Sequence, residues 1–392
     1  MSDTPFQVRR GDDSALLPAG PPIGLDALRS RLSRTSDHLA IVSQPSDGAA
    51  STVESQHASV DVRANVIDLR APLTRHRDLK GLPSFPSMRV MDDEMAIAVR
   101  PFVLEFDDYS DFNGASLFGW SGSVPGGYRI ARLGDNLVVE FGDYLTGQRF
   151  LSFLGDDHPD DAAAELLDDA DRRALQPELH LVPAVTARML DPERFCIQAD
   201  PDSADYVFDV SSVAAMRGSQ YRTLRHSFNS WERRWGDQVT IDWMDLDELR
   251  ARTGDILDLL EQWQRRGSGG ASQSGQELRA IEHILGSSAR VAPGLSGWTG
   301  TCSVGGELVA MFINEREDLH RLAGHFLKVS DHPAGNRLYS WLCVQVCRRA
   351  VSHGVRTLNM QQDLGIEGIR AAKERLRPMR RLEKYSVGRA GR

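Results

Sequence analysis

The sequence has 392 residues, room for two or three domains, and its 41% hydrophobic and 26% charged residues are those of an ordinary globular chain. No apolar run approaches the roughly 18 residues that span a bilayer, and residues 1–10 lack the apolar core of a secretory leader, so a cytoplasmic protein without a transmembrane segment is expected. The formal charge of −9 averages an acidic stretch, Asp156 to Asp171, against a basic end that runs from Arg370 to Arg392, and that asymmetry suggests an anionic partner at the basic end.

Residues 1–88 have little apolar periodicity and hold Pro18, Pro21, Pro22 and a Ser/Ala/Gly-rich run from Gln44 to Ser59. They predict a disordered arm, with one short amphipathic helix over Leu25 to Leu39. An extended piece is expected at Met95 to Val99. Gly134 to Asn136 predicts a hairpin turn into a strand over Leu137 to Phe141. A strand at Phe150 to Phe153, an acidic helix over Asp160 to Leu175, a strand over Glu178 to Pro183, a helix at Thr186 to Leu190 and strands at Phe195 to Gln198 and Asp205 to Asp209 follow. A long helix capped by Ser211 or Ser212 is expected to reach Trp235, with Leu224, Phe228, Trp231 and Trp235 as a core stripe.

The chain then begins a second series. A strand over Val239 to Trp243 precedes a helix over Leu246 to Arg266, a mobile loop over Gly267 to Gly275 and a helix over Gln276 to Leu285. Strands at Gly297 to Val304 and Glu307 to Ile313 join at Gly305 and Gly306, a hairpin signal. Leu319 to Val329 is a strand, Asn336 to His353 a helix and Thr357 to Gln361 a strand. Cys343 and Cys347 stand four apart on that last helix. No His or further Cys joins them, so they read as core residues; neither a metal site nor a disulfide framework is expected.

The most distinctive stretch comes next: Asn359-Met-Gln-Gln-Asp-Leu-Gly-Ile-Glu-Gly-Ile-Arg-Ala-Ala-Lys373, then Pro378 and Glu383-Lys384-Tyr385. Asp363 and Gly365 mark a strand turning into a helix, on which Glu367, Arg370 and Lys373 recur at three-residue spacing and line one side. Pro378 ends the helix, and Met379 to Val387 is a closing strand. This string resembles the end of the catalytic domain of phosphatidylglycerol lysyltransferases and their soluble relatives. Tyr206-Val-Phe-Asp209 with Arg217-Gly-Ser-Gln-Tyr-Arg-Thr-Leu-Arg225, and Ser110-Asp-Phe-Asn-Gly-Ala-Ser-Leu-Phe-Gly-Trp120, are similar to two further segments of that family, so the resemblance covers Phe102 to Val387.

The resemblance implies an α/β (α+β) architecture of two tandem GNAT-like acyltransferase domains, here 89–236 and 237–392, the second catalytic. It also implies a donor that is an aminoacyl-tRNA, used as co-substrate with no other cofactor. The family's soluble members include tRNA-dependent transferases of natural-product pathways, such as the valanimycin seryltransferase. With no membrane domain in this sequence, a small-molecule amine or hydroxyl acceptor is expected, and no DNA partner. A phospholipid head group and an acyl-CoA- or carrier-protein-dependent N-acyltransferase remain the alternatives. Where many GNAT enzymes cradle coenzyme A phosphates, this sequence has Asp331, which repels phosphate, Pro333, which has no N–H, and a single Gly335.

Roles follow for individual residues. Asp363 and Glu367, four apart, are expected to grip the donor's ammonium group, with Arg370 holding Glu367 or a terminal phosphate. Lys384, Lys373 and Tyr385 are candidate donors to the oxyanion and the leaving oxygen. His325, on a central strand, is the candidate proton acceptor. Arg222, Arg225, Lys373, Arg377 and Arg380 are expected to meet tRNA phosphates. Gln361 and Gln362 stand where lysine-handling members carry an acid, which suggests a small neutral donor amino acid.

Overall fold

The computed structural model describes residues 79–391, apart from 144–146, 267–270, 288, 289 and 292. The arm and helix expected before residue 79 lie outside the described residues. The ordered domain starts earlier than residue 89, however, because Leu79, Leu82 and Phe85 are buried.

The first layer is a four-stranded antiparallel sheet with two helices: β1 (Arg89–Val90), α1 (Asp93–Val103), α2 (Gly114–Ser121), β2 (Arg129–Leu133), β3 (Asn136–Gly142) and β4 (Arg149–Leu154), in strand order β1-β2-β3-β4. The expected extended piece at 95–99 is helical instead. Asp92 caps α1 by accepting from the Met95 N–H, and Met95, Ala96, Val99, Phe102 and Val103 recur at helical spacing on its buried face. The β2–β3 hairpin forms at Gly134 as expected.

A second sheet gathers the rest. Its members are α3 (Pro159–Arg172), β5 (Leu179–Pro183), α4 (Ala184–Ala187), β6 (Phe195–Asp209), α5 (Val210–Ala215), α6 (Arg222–Trp235), β7 (Val239–Met244), α7 (Leu246–Ala251), α8 (Thr253–Arg266), α9 (Ala271–Gly286), β8 (Thr299–Val304), β9 (Glu307–Arg316), β10 (Arg321–Val329), α10 (Leu338–Ser352), β11 (Thr357–Asn359), α11 (Glu367–Arg375) and β12 (Arg380–Arg389). The eight strands run β5-β12-β6-β11-β10-β9-β8-β7. All neighbours are antiparallel except β10 and β11, which α10 joins as a parallel pair. This mixed sheet, with its helices and its parallel pair, has the GNAT-like order of elements. Strands from both sides of residue 236 share it, and β12 is inserted between β5 and β6.

Three local differences from expectation have physical causes. The helix expected from 211 to 235 is two, because Met216 and Gly218 take left-handed conformations (φ 48° and 84°), and Asp209 rather than a serine caps the first. The strand pieces at 195–198 and 205–209 are one strand, β6. The expected loop at 267–275 is helical from Ala271, and 267–270 lie outside the described residues. The core stripe holds: Leu224, Phe228 and Trp231 are buried, and Trp231 packs on Trp341 of α10 with ring centroids 4.3 Å apart. Cys343 and Cys347 are buried in the same core.

Candidate active site

The segment from Asn359 to Lys373 folds as a wired loop against β6. Gln361 and Leu364 have positive φ (60° and 57°), as does Gly365 (70°). The φ at Gly365 strains any L side chain there, and a Cβ would also come 2.8 Å from a carboxylate oxygen of Asp202. The loop extends the β6 ladder, since the Met360 N–H donates to Tyr206 O and the Tyr206 N–H donates to Gln361 O.

Asp363 is fully buried and anchors this loop. It accepts from Tyr206 OH (2.5 Å), from the Gly365 N–H (2.9 Å) and from both Nε and Nη2 of Arg370 (2.8 and 3.0 Å). Burial pushes its carboxyl up, but the Arg370 and Tyr206 donors outweigh that and hold it at about 2. Arg370 also binds Asp202 at 2.6 Å. The expected pairing of Asp363 with Glu367 is therefore not made: Asp363 points inward to Arg370, whereas Glu367 opens α11 on the solvent side and is exposed. Arg370 holds Asp363 in place of Glu367.

Lys373 faces inward too. Its Nζ donates to the carbonyls of Gln361 (3.1 Å) and Gln362 (2.5 Å), and burial lowers it to about 8. It clamps the loop and is not available to a phosphate.

Lys384 lies in a bulge of β12 with no solvent exposure. Its Nζ contacts Asp205 (2.8 Å), Ser110 Oγ (3.3 Å) and Asp111. Burial opposes its charge, yet Asp111 and Asp205 more than offset this and hold the ammonium above its ordinary range. An ammonium has three donors, and these three partners take them, so Lys384 organises acids instead of reaching an oxyanion. Tyr385, the next residue, faces away along the strand alternation and donates to Glu383 at 2.9 Å. It does not join Lys384. Gln362 does: its amide bridges Ser110 Oγ (2.9 Å) and Asp111 (3.2 Å). No side-chain contact to this cluster is made by Gln361.

A second set of acids continues from the first. Asp205 accepts from Asn359 Nδ2 (3.4 Å), and the same nitrogen donates to the carbonyl of Asp108. The Asp108 carboxyl meets that of Glu317. Asn113, which caps α2 through the Ser116 N–H, donates to Glu317 (2.6 Å) and Glu315 (3.2 Å). Glu315 pairs with His325 Nε2 at 3.1 Å, and His325 Nδ1 lies 3.2 Å from Ser116 Oγ. His325 is thus buried with both ring nitrogens engaged. A small cleft opens here, at the seam between residues 103–113 and the β9–β10 ends, and Asp108, Tyr109, Asn113, Glu317 and Arg321 line it.

The arginines divide. Arg225 holds the carbonyls of Met216 and Gly218, Arg380 forms a two-point pair with Asp107, and Arg377 Nε donates to Gln220 O (3.1 Å). Arg222 is exposed at the start of α6, two residues from Gln220. Sequence reasoning missed Asp108, Asp111, Asp205, Glu315 and Glu317. Asp111 and Asn113 lie inside the quoted Ser110–Trp120 segment and Asp205 directly before Tyr206, so a signal was present for these. Glu315 and Glu317 alternate with Arg316 at the end of β9 and carried none.

Comparison with known proteins places this geometry. The family described as "Phosphatidylglycerol lysyltransferase, C-terminal" matches residues 121–388. No curated protein sequence matches the chain. Among solved structures, the chain is similar to a conserved protein of unknown function from Bacteroides thetaiotaomicron VPI-5482 (21% identity, 76% of this chain and 98% of that one, TM-score 0.62). It is also similar to L-PGS from Bacillus licheniformis (17%, 78% and 94%, 0.51) and to the C-terminal domain of a putative lysylphosphatidylglycerol synthetase from Agrobacterium fabrum (12%, 76% and 92%, 0.52). At these identities the structural likeness is one of fold.

Proposed function

The chain belongs to the phosphatidylglycerol lysyltransferase C-terminal family, and from that premise we propose that it is an aminoacyltransferase that moves an amino acid from aminoacyl-tRNA to a small-molecule amine or hydroxyl. The acceptor attacks the ester carbonyl, a new C–N or C–O bond forms, and the ester C–O bond to the ribose breaks. The proton lost by the acceptor goes to the departing ribose oxygen. In this reading Lys384, Asp363, Arg370 and Lys373 are positioning residues that fix the loop and Asp205, and the reacting group enters at the Asp108–Glu317 cleft.

The observation that carries a donor other than coenzyme A is the turn between β10 and α10. Pro333 offers no N–H. The Ala334 N–H is taken by His332 Nδ1 (3.0 Å) and the Gly335 N–H by His332 O (2.7 Å). The Ala334 carbonyl accepts from Trp231 Nε1 (2.7 Å), which seats the turn in the core. A pyrophosphate cradle draws on free backbone N–H groups of this turn and of the helix start, and the turn itself, from Pro333 to Gly335, offers none. The exposed Asp331 beside them adds repulsion.

The donor we favour is a small neutral amino acid. Gln362 lies within the Lys384 cluster, where a further carboxylate would suit a second ammonium. Transfer assays with purified seryl-, alanyl-, glycyl- and lysyl-tRNA, run beside acetyl-CoA, test the reading. Turnover of a small aminoacyl ester is expected. Turnover of the thioester alone would remove the proposed donor, and preference for lysyl-tRNA would remove the proposed side chain.

A further inference from the structure

We propose that the Asp108–Glu317 pair is the seat of a primary ammonium group, which on binding replaces the one proton that the two carboxyls share. This deepens the aminoacyl-transfer reading, and rests on it only for which molecule carries the ammonium.

Glu317 is buried, and apart from the contact between the two carboxyls its Oε2 and Asp108 Oδ1 have no hydrogen-bond partner among the described residues. Both residues line the cleft. Two buried carboxyls in contact repel each other when both are ionised, and Arg321 offsets only part of this, so the pair favours keeping one proton. The neighbours explain why no protein cation takes its place. Arg321 faces both acids, but its Nε binds Asp318 (2.7 Å) and its terminal nitrogens bind the carbonyls of Phe106 (2.7 Å) and Leu104 (2.8 Å). Arg100 donates to the backbone carbonyl of Glu317 (2.7 Å), and its Nε lies 3.8 Å from Glu315. Lys384 is held by Asp205 and Asp111. His325 is held by Glu315.

The remaining charged groups facing the pair, Asp205 and Glu315, are acids and favour an incoming cation. Burial, followed by the pair's mutual repulsion, holds the Asp108 carboxyl well above its ordinary range, and burial raises Glu317 as well. Tyr109 and Phe112 also line the cleft. An ammonium there has two orphaned carboxylate oxygens as acceptors, and its arrival expels the shared proton.

Calorimetric titration at pH 7 in buffers of different ionisation enthalpy tests this without any variant. The probes are serine amide, alanine amide, their N-acetylated forms and ethylamine, at millimolar concentration. The amides are expected to bind with release of about one proton per ligand, and the acetylated forms not to bind. Binding of the amides alone assigns the ammonium to the donor; equal binding of ethylamine assigns it to the acceptor. Glu317→Gln and Asp108→Asn, checked for folding by circular dichroism, are each expected to weaken binding at least tenfold, because one of the two acceptor carboxylates is lost. No binding by any amine, equal binding of the acetylated forms, or binding without proton release would overturn the proposal. Amine binding with proton release but no transfer from any aminoacyl-tRNA would keep the ammonium site and remove the transfer reading. The converse result would do the reverse.

Discussion

Lys384 shows how strongly one side chain is tied to its setting. It is fully buried between Asp205 and Asp111, and the pair of acids is acceptable there only because the ammonium stays. Lys384→Met is expected to lower stability by about 3–5 kcal/mol, the usual cost of stranding buried charge. Adding Asp205→Asn to it should recover part of that loss, measured by denaturant unfolding. An unchanged midpoint in the single variant would show that Lys384 does not hold the acids. The roles of such residues were only partly legible. Asp363, Arg370 and Lys373 form a local string whose spacing could be read, and they do meet in one place. Their partners could not be read. Asp363 looked like a ligand for substrate and is instead bound to Arg370, because helical spacing says which residues share a side but not which way that side faces. Asp108 and Glu317 are brought together only by tertiary structure, and no spacing rule links them.

At the scale of elements, the fold turns on small residues where helices meet. A Cβ on Gly119 of α2 would sit 2.7 Å from Ile284 of α9, and one on Gly114 would sit 2.9 Å from the Ala96 carbonyl of α1. Glycine at these positions lets α2 lie between α1 and α9, which in turn places Asn113 at the α2 start between Glu315 and Glu317. Gly119→Val forces α9 away and is expected to cost about 1–3 kcal/mol, as overpacking does. Faster hydrogen exchange over residues 275–286 would be its signature, and unaltered exchange would count against the packing argument. Most strands and helices were legible from periodicity and turn residues. The failures were local. Met95 to Val99 is too short for period alone to separate strand from helix, and the left-handed Met216 that splits α5 from α6 carries no sequence mark, unlike Gly218 two residues later.

For the whole molecule, net charge is a poor guide to where an anion would dock. Of the five basic residues expected to face tRNA, Lys373 is buried, Arg225 and Arg380 are engaged within the protein, and Arg222 is exposed with Arg377 bound to the loop beside it. Among the described residues, no helix is long and apolar enough to cross a membrane. On the proposed aminoacyl-tRNA reading, Arg222→Glu is expected to weaken tRNA binding several-fold and to reduce the slope of affinity against salt by about one. Arg225→Ala should instead lower the melting temperature and leave that slope unchanged. Equal slopes for the wild type and Arg222→Glu would place the RNA elsewhere.

The insertion of β12 between β5 and β6 has a bearing on biosynthesis. While the ribosome is still translating residues 380–389, the strands made much earlier stand apart with unpaired edges, and Asp205 waits for its counter-ion. Assembly of the site must come last, in one closing step that joins the start of the sheet to its most distant segment. Such late, long-range pairing is slow and exposes sticky edges meanwhile. A nascent chain halted before Arg380 should therefore be prone to aggregation, and not simply a shortened enzyme.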